Sequence, residues 1–265
     1  MAEADCNVKF AVSLADGMRV EAVYYGSGTL CVSSQAGCAL GCPFCASGRQ
    51  GLMRNLSPAE MLLQVEIAWE KGLRPVRITV SGVGEPLHNF SSLLAFMDLC
   101  TERGLPLSLT TTGSPLQRLS AILGLPHNGL MVSVHAGTAE THGRLIPRGP
   151  DFEQLWGVLD GGLPGLSRRR RRKVGINYLL IEGVNDSEED LSRLALRMKK
   201  HPELTLHLLT LNPVPQSPFS SPDEKRISAV QAWLSDLGLH VRRANAWRRL
   251  QEGGCGTLTA RGGFA

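Results

Sequence analysis

The segment Thr29-Leu-Cys-Val-Ser-Ser-Gln-Ala-Gly-Cys-Ala-Leu-Gly-Cys-Pro-Phe-Cys45 joins a run of strand-forming residues to three closely spaced cysteines. Further short runs rich in Val, Ile, Leu and Thr follow it. Several are almost continuously apolar, as strands buried on both faces of a sheet are. Together they predict seven strands: Thr29–Ser33, Val76–Val80, Leu107–Thr111, Leu130–Val134, Val174–Ile181, Leu204–Leu209 and Leu239–Arg243.

Helical stretches with readable starts separate these strands. Ser57-Pro-Ala-Glu60 offers a capping serine, a proline at the first helical position and a glutamate three residues after the cap, and Ser221-Pro-Asp-Glu224 repeats the signature. Such alternation predicts an α/β fold with a parallel sheet and right-handed crossovers. Its length favours a partial or full (β/α) barrel over an open sheet. One more strand is predicted earlier, at Arg19–Tyr25.

The length and composition are those of an ordinary globular protein. The chain has 265 residues, of which 43% are hydrophobic and 20% charged, so it can bury roughly 70% of its unfolded surface without a disulfide. No apolar run approaches the roughly 20 residues of a membrane span. The start of the sequence lacks a signal-peptide pattern. We therefore expect a cytoplasmic protein that does not enter a membrane.

The positive charge of the chain is concentrated in one run. Arg168–Lys173 reads Arg-Arg-Arg-Arg-Arg-Lys, and without these six cations the formal net charge falls from +4 to −2. A run of like charges is often a solvated loop. It is also what a protein that contacts nucleic-acid phosphates presents. The sequence leaves both interpretations open.

The seven cysteines do not predict a disulfide framework, because their number is odd. Clustered cysteines in a reducing compartment more often bind metal or take part in chemistry. Cys38, Cys42 and Cys45 have C-x3-C-x2-C spacing and follow the first strand of the alternation, at the end where barrels carry active sites. Their thiolates can take three corners of one iron–sulfur cluster and leave an iron open, which is typical of catalysis. A closed zinc or iron–sulfur site, completed by Cys31 or Cys255, is the structural alternative.

With Phe44 before the third cysteine, this triplet resembles the signature of the radical S-adenosylmethionine (SAM) enzymes. The resemblance implies a partial (β/α)6 barrel in which the three cysteines hold a [4Fe–4S] cluster. SAM then chelates the iron that has no cysteine, through its amino and carboxylate groups. Reductive cleavage of SAM on such a cluster yields a 5′-deoxyadenosyl radical.

The resemblance narrows outside the triplet. Between about Val20 and Gly256 the chain resembles the RNA adenine methylases of the RlmN and Cfr type, on these motifs: Gly82-Val-Gly-Glu-Pro86, Thr110-Thr-Thr-Gly113, Ser133-Val-His135, Asn185-Asp186 and Leu211-Asn-Pro213. This likeness implies methylation of an amidine carbon of adenine, at position 2 or, alternatively, at position 8. The substrate would be ribosomal RNA or a smaller RNA such as tRNA. A radical SAM enzyme of another reaction class, such as a glycyl-radical activase, is the rival interpretation.

The same likeness assigns roles to single residues. Cys255 matches a cysteine that takes a methyl group from one SAM; a second SAM supplies the radical, and the methyl carbon then adds to adenine. Cys31 matches a second thiol, which attacks the Cys255 sulfur, forms a disulfide and releases the product. Glu21 matches a glutamate near the substrate that would act as the base. The implied SAM contacts are Gly84, Glu85, Thr110, Ser133, Val134, His135 and Asn212.

We expect three parts in the chain: an N-terminal extension over residues 1–25, the barrel over 26–245 and a C-terminal loop over 246–265 that carries Cys255. Methylases of the type named carry an accessory RNA-binding domain before the barrel, whereas about 20 residues precede the matching region here. The implied partners are RNA and a low-potential electron donor such as flavodoxin or ferredoxin. A monomer is expected.

Overall fold

The computed structural model describes residues 7–49, 51–212, 214, 217–250 and 256–261 of the chain. The strands are β1 (Val8–Ser13), β2 (Arg19–Tyr25), β3 (Thr29–Val32), β4 (Gln35–Gly37), β5 (Leu52–Asn55), β6 (Arg77–Val80), β7 (Leu107–Thr111), β8 (Gly129–Ser133), β9 (Val174–Leu180), β10 (Thr205–Thr210), β11 (His240–Arg243) and β12 (Ala260–Arg261). The α-helices are α1 (Pro58–Glu70), α2 (Phe90–Glu102), α3 (Leu116–Gly124), α4 (Ala139–Leu145), α5 (Phe152–Gly162), α6 (Arg168–Arg171), α7 (Glu188–Met198), α8 (Glu224–Asp236) and α9 (Ala246–Arg249). Short 3-10 helices lie at Ala46–Gly48 and Pro86–Asn89.

Parallel strands form the body of the fold. β3, β6, β7, β8, β9, β10 and β11 lie side by side in that order, and each pairs in parallel with the next. The antiparallel hairpin of β1 and β2 continues the sheet beyond β3, and β12 pairs with the start of β2. Among the described strands β11 has no partner on its outer side, so the sheet does not close. The α/β fold with a parallel sheet is confirmed, and β11 adds a seventh parallel strand to the six of the implied barrel.

The strand predictions for this sheet are confirmed to within one residue at each end, and β2 has the predicted bounds. Four strands were not predicted: β1, β4, β5 and β12. β1 alternates buried and exposed side chains over most of its length, so its pattern was present in the sequence. β4 is three residues long and reads Gln-Ala-Gly, which carries no strand pattern. It forms because β5 returns along it.

The first predicted helix start is confirmed and the second is wrong by two residues. At α1 the Ser57 hydroxyl accepts the Glu60 N–H at 3.2 Å, and the Glu60 carboxylate accepts the Ser57 N–H at 2.8 Å. α8 begins after Asp223, whose carboxylate accepts the N–H of the third helical residue at 2.7 Å. Ser221 does not cap this helix, because its hydroxyl accepts the Leu211 N–H at 2.7 Å.

The core lies between the sheet and the helices that cover it. Phe96 of α2 and Trp156 of α5 are fully buried there. Burying a phenylalanine contributes roughly 1.5–3 kcal/mol relative to leaving it exposed. Within the described residues, every helix is too short or too polar to cross a membrane. The carboxyl ends of the parallel strands meet at one edge of this core, where the polar side chains of the candidate site lie.

Candidate active site

The cysteine loop, residues 38–45, is held between β4 and β5. These two strands pair antiparallel, with an irregularity next to Gly37. The Cys38 N–H donates to the Gly51 carbonyl at 3.0 Å, and the Cys45 N–H donates to the Cys42 carbonyl at 3.0 Å. Backbone hydrogen bonds therefore fix both ends of the cysteine loop.

A cavity of about 120 Å³, which we name the cysteine cavity, opens at the carboxyl ends of β6, β7 and β8. Its wall contains the three predicted cluster ligands and five of the seven predicted SAM contacts. These residues are Cys38, Cys42, Cys45, Gly84, Glu85, Thr110, Ser133 and His135. The strand ends thus bring together residues that are far apart in the sequence.

Cys38 is buried and Cys42 and Cys45 are half-buried, and the neighbouring sulfurs disfavour the ionisation of Cys38 and Cys42. Burial, together with the neighbouring Cys45 and Glu85, raises the pKa of Cys38 to about 12. Burial raises the pKa of Cys42 well above its usual value, and the Cys45 and Cys38 sulfurs add to the rise. Thiolates gathered in such a site need a positive counter-charge, and bound iron deprotonates its thiol ligands. The donor set therefore fits an iron–sulfur cluster.

The arrangement differs from a site for a single ion. Among the described residues, no three His, Cys, Asp or Glu side chains converge closely enough to hold one metal ion. A [4Fe–4S] cluster held by three cysteines, with one thiolate on each of three irons, does not require that convergence.

Gly84 brings Glu85 against β4. The φ of Gly84 is 106°, and a Cβ at this position would lie 2.6 Å from the Gln35 Cβ, so a side chain does not fit. The Gln35 side chain connects Glu85 to Asn55 of β5. Its Oε1 accepts the Glu85 N–H at 2.8 Å, and its Nε2 donates to the Asn55 Oδ1 at 2.7 Å. Gly84 is thus required by the packing of the site, and its predicted contact with SAM stays a prediction.

The buried carboxylate of Glu85 accepts hydrogen bonds at both oxygens. Its Oε1 accepts from the Thr111 hydroxyl and from the Leu87 N–H, the latter at 3.1 Å. Its Oε2 accepts the N–H and the hydroxyl of Thr112 at 2.8 and 2.9 Å. Burial raises the pKa of Glu85, and these donors oppose the rise. Thr111 and Thr112 therefore position Glu85. Its implied contact with the SAM amino group stays a prediction.

His135 combines a rare backbone conformation with a defined tautomer. Its φ is 57°, which residues with a side chain seldom adopt, and the Asn185 Nδ2 donates to its carbonyl at 2.8 Å. Its Nδ1 accepts the Leu179 N–H at 3.0 Å, so the ring proton is on Nε2. Burial lowers the pKa of His135 to about 3. The ring is therefore neutral at neutral pH and offers one N–H donor, with Phe44 edge-on at 5.5 Å.

A second cavity of about 130 Å³, the asparagine cavity, adjoins the first and shares six lining residues with it: Phe44, Cys45, Ser81, Thr110, Ser133 and His135. Asn212 lines it, and so do Asn177 and Ser81, which were not predicted from the sequence. Asn177 is 4% exposed and lies in the wall of this cavity. An amide in that place can both donate to a ligand and accept from it. In the sequence, Asn177 stands out as an amide inside the otherwise apolar run of β9. Ser81 stands out as a polar residue directly after β6.

Val134 and Cys31 are buried and are not among the described residues that line these two cavities. Val134 is fully buried, its N–H donates to the Asn177 carbonyl at 3.1 Å, and its carbonyl lies 2.9 Å from the His142 Nδ1. Cys31 in β3 is 1% exposed, with its Sγ 3.3 Å from the hydroxyl of Ser81. The roles predicted for both residues stay predictions. No disulfide joins the described cysteines: Cys31, Cys38, Cys42, Cys45 and Cys100.

Glu21, the predicted base, contacts the C-terminal part of the chain. Its Oε2 accepts the N–H and the hydroxyl of Thr259 at 2.6 and 3.1 Å. Its Oε1 lies 3.3 Å from the Lys9 Nζ. The carboxylate is thus engaged on both sides.

Cys255, the predicted methyl carrier, lies outside the described residues. The next residue, Gly256, is described, and its carbonyl accepts the Ala46 N–H at 2.7 Å. A Cβ on Gly256 would lie 4.0 Å from the Cys45 Sγ. The chain directly after Cys255 therefore packs against the cysteine loop.

The basic run lies at the other edge of the sheet. α6 precedes the N-terminal end of β9, and the seven residues of that strand separate it by roughly 20 Å from the edge with the cavities. Three of its cations are bound within the protein. Arg170 donates to two carbonyls at the end of α3, Arg171 pairs with Glu203 at 2.8 Å, and Lys173 donates to the His127 carbonyl at 3.2 Å.

The other three cations of the run are exposed. Arg168, Arg169 and Arg172 have no side-chain hydrogen bond or ion pair within the part of the chain that the structure describes. Arg168 and Arg172 line a cavity of about 710 Å³ together with His240 and Arg242. The run is therefore half structural support and half an exposed cationic surface.

Comparison with known proteins identifies the family. Residues 32–195, which include the cysteine loop and the strand ends up to β9, match the family described as the radical SAM superfamily. The chain belongs to this superfamily. A probable RNA methyltransferase of Ectopseudomonas mendocina is 35% identical over 267 residues, 97% of this chain and 75% of that protein. A probable RNA methyltransferase of Azoarcus sp. is 34% identical over 273 residues, 97% of this chain and 74% of that protein.

A solved structure of a radical SAM methyltransferase also resembles this protein. The crystal structure of a radical SAM methyltransferase from Sphaerobacter thermophilus superposes with a TM-score of 0.80 and 29% identity, over 97% of this chain and 79% of that one. The protein is therefore grouped with radical SAM methyltransferases. Membership of the superfamily implies a [4Fe–4S] cluster and SAM.

Proposed function

We propose that this radical SAM protein methylates an amidine carbon of adenine in RNA, at position 2, with position 8 as the alternative. One observation carries the proposal: the residue that follows Cys255 is hydrogen-bonded to the residue that follows Cys45, through the Gly256 carbonyl and the Ala46 N–H at 2.7 Å. A methyl-carrying thiol and a cysteine triplet that fits a cluster belong to adjoining pieces of chain. The names of the relatives, probable RNA methyltransferases, support RNA as the substrate class.

The cysteine loop would bind the cluster, and residues at the strand ends would bind SAM. Cys38, Cys42 and Cys45 would hold the [4Fe–4S] cluster, which supplies the electron for reductive cleavage of SAM. SAM has hydroxyl, amino and carboxylate groups that need hydrogen-bond partners. His135, which lines both cavities, supplies an N–H donor at Nε2, and Asn177, which lines the asparagine cavity, supplies an amide that both donates and accepts.

The thiols carry the methyl group and release the product. The Cys255 thiolate attacks the SAM methyl group, which leaves a methyl thioether and S-adenosylhomocysteine. Carbons 2 and 8 of adenine are electron-poor and cannot displace a methyl group from SAM, so the thioether carbon has to be activated as a radical. The adduct with adenine would then lose one electron, which balances the electron spent on cleaving SAM, and the ring proton at the new bond. The Cys31 thiolate would bond to the Cys255 sulfur as the sulfur–carbon bond breaks, and a proton from water would complete the new methyl group. The Cys31–Cys255 disulfide that remains is reduced by external thiols.

The decisive experiment compares RNA from cells with and without this gene. Nucleoside mass spectrometry, with C2- and C8-methyladenosine as standards, is applied to separated rRNA and tRNA fractions. We expect a methyladenosine that is lost without the gene, restored by the wild-type gene and not restored by the Cys42→Ala variant. Identical nucleoside profiles in all strains would contradict the proposal.

The exposed half of the basic run would contact phosphates of the RNA away from the target base. Arg168, Arg169 and Arg172 carry charge that no described residue pairs, and the length of β9 places them roughly 20 Å from the cavities. Phosphate contacts position a nucleic acid without reading its sequence. A folded RNA that extends past its target adenine can reach this surface, and a short single strand cannot.

Two triple variants with the same change in charge test this contact. Arg168→Ser/Arg169→Ser/Arg172→Ser should lower the affinity for long RNA and reduce its log–log salt slope by roughly 0.7–0.9 for each phosphate that is no longer neutralised. Thermal stability should hardly change. Arg170→Ser/Arg171→Ser/Lys173→Ser removes internal hydrogen bonds, each of which contributes about 0.5–1.5 kcal/mol, so it should lower the melting temperature instead.

Salt titrations of RNA binding and thermal melts of both variants check this division. Equal losses of affinity in the two variants would mean that only overall charge matters. An unchanged salt slope in the first variant would identify its arginines as a solvated surface.

A further inference from the structure

The C-terminal segment, residues 256–261, is attached to the protein along its length. Its first contacts are with the residues directly after the cysteine loop: the Gly256 carbonyl accepts the Ala46 N–H at 2.7 Å, and the Leu258 carbonyl accepts the Ser47 hydroxyl at 2.7 Å. The Leu258 side chain is 3% exposed and packs in the core. The last contacts are the pairing of β12 with β2. The segment is therefore a strap between the cysteine loop and the edge of the sheet.

Glu21 holds the middle of this segment. It lies on β2, and its Oε2 accepts both the N–H and the hydroxyl of Thr259, at 2.6 and 3.1 Å. Its other oxygen lies 3.3 Å from the Lys9 Nζ. Glu21 is absent from the described residues that line the cysteine and asparagine cavities. Its carboxylate therefore faces the segment.

We propose that Glu21 is a positioning residue: it fixes segment 256–261 beside the cysteine loop and thereby restricts Cys255, the residue before the segment, to the reaction site. In this role Glu21 does not act as the base. The inference rests on the proposed function, because Cys255 is the methyl carrier only there.

The proposed reaction needs such a restraint. Reacting atoms have to approach within roughly 3–3.5 Å in alignment, and a displacement of about 1 Å costs on the order of 100-fold in rate. Cys255 lies in the sequence Gly253-Gly-Cys-Gly256, and glycine loses more conformational freedom on ordering than any other residue. Contacts of the residues after Cys255 can restrain it, and Glu21 supplies two such contacts through Thr259.

Four variants separate positioning from base catalysis. Glu21→Gln keeps an oxygen that accepts from Thr259 but takes up no proton. Glu21→Ala removes the acceptor and the base together. Thr259→Val removes the hydroxyl donor and leaves the carboxylate. Lys9→Gln is the matched control, because Lys9 contacts the other oxygen of the same carboxylate.

Hydrogen exchange of the amides in segment 256–261, followed by mass spectrometry without RNA or SAM, measures the restraint itself. Loss of two hydrogen bonds should accelerate exchange roughly tenfold or more in Glu21→Ala. The acceleration should be smaller in Thr259→Val, within about threefold in Glu21→Gln, and absent in Lys9→Gln. The rate at which SAM methylates Cys255 should fall in the same order, since this step needs the position of Cys255 and no base.

Base catalysis gives the opposite pattern. Glu21→Gln and Glu21→Ala would then load the methyl group at the wild-type rate, keep wild-type exchange, and both accumulate a covalent protein–RNA adduct that cannot lose its ring proton. That result overturns the inference. If the wild-type protein never carries a methyl group on Cys255, the proposed function fails, and the exchange rates still decide whether Glu21 fixes the segment.

Discussion

Replacing Cys42 by alanine is expected to abolish both the iron–sulfur cluster and the cleavage of SAM. Cys42 lines the cysteine cavity together with Cys38 and Cys45. A cluster that has already left one iron without a cysteine would be left with two such irons. The measurement is iron and sulfide content and visible absorbance after anaerobic reconstitution, with 5′-deoxyadenosine formation assayed on the same sample.

Cys100→Ala is the matched control for this experiment. Cys100 is fully buried in α2, burial raises the pKa of its thiol to about 12, and it is absent from the described lining of the cysteine cavity. Its loss should lower stability slightly, by about 1 kcal/mol, and leave cluster content and SAM cleavage as in the wild type. Full SAM cleavage by Cys42→Ala would exclude the cluster assignment of the triplet.

The parallel sheet could be predicted from the sequence because its strands are buried on both faces. Such strands read as short, nearly continuous apolar runs, and turns and caps such as Ser57 delimit them. The same argument explains why β4 could not be predicted from the sequence. β4 has no pattern of its own and exists through its pairing with β5, a long-range contact that no local signal encodes.

The candidate site could be predicted in part, since strand ends and cysteine spacing are local features. Asn177 was missed: the sequence shows an amide inside the apolar run of β9, but only the fold shows that this residue lines a cavity. The contact of Glu21 with Thr259 joins residues 238 positions apart. Its origin is the pairing of β12 with β2, which is too short to leave a pattern.

The place of the basic run could have been deduced from the predicted elements. Arg168–Lys173 directly precedes the strand that begins at Val174. In a parallel sheet all strands start at one edge and end at the other, so a run before a strand lies opposite the active site. This order alone places the run away from the cavities of the candidate site. Under the proposed function, the run would therefore contact phosphates of the RNA rather than the target adenine.

Replacing Cys31 by alanine is expected to trap a covalent adduct between protein and RNA. Methyl loading needs only the Cys255 thiolate and SAM, so it should proceed in this variant. Release needs a second thiolate that attacks the Cys255 sulfur, and water is a poor substitute in such an exchange. Each enzyme molecule should therefore stop before completing a single turnover. Denaturing electrophoresis of protein purified from cells, with RNase treatment and mass spectrometry of the shifted band, detects the adduct.

Two companion variants make the prediction specific to the thiol. Cys31→Ser nearly preserves the size of the side chain. Its hydroxyl can hydrogen-bond to Ser81, whose Oγ lies 3.3 Å from the Cys31 Sγ. It should trap the adduct as Cys31→Ala does, because the missing property is the nucleophilic sulfur and not the packing of β3. Cys255→Ala should form no adduct and yet retain the cluster, because in this mechanism Cys255 is not a cluster ligand. Normal turnover by Cys31→Ser, or an adduct in Cys255→Ala, would exclude the methyl-cysteine mechanism for this protein.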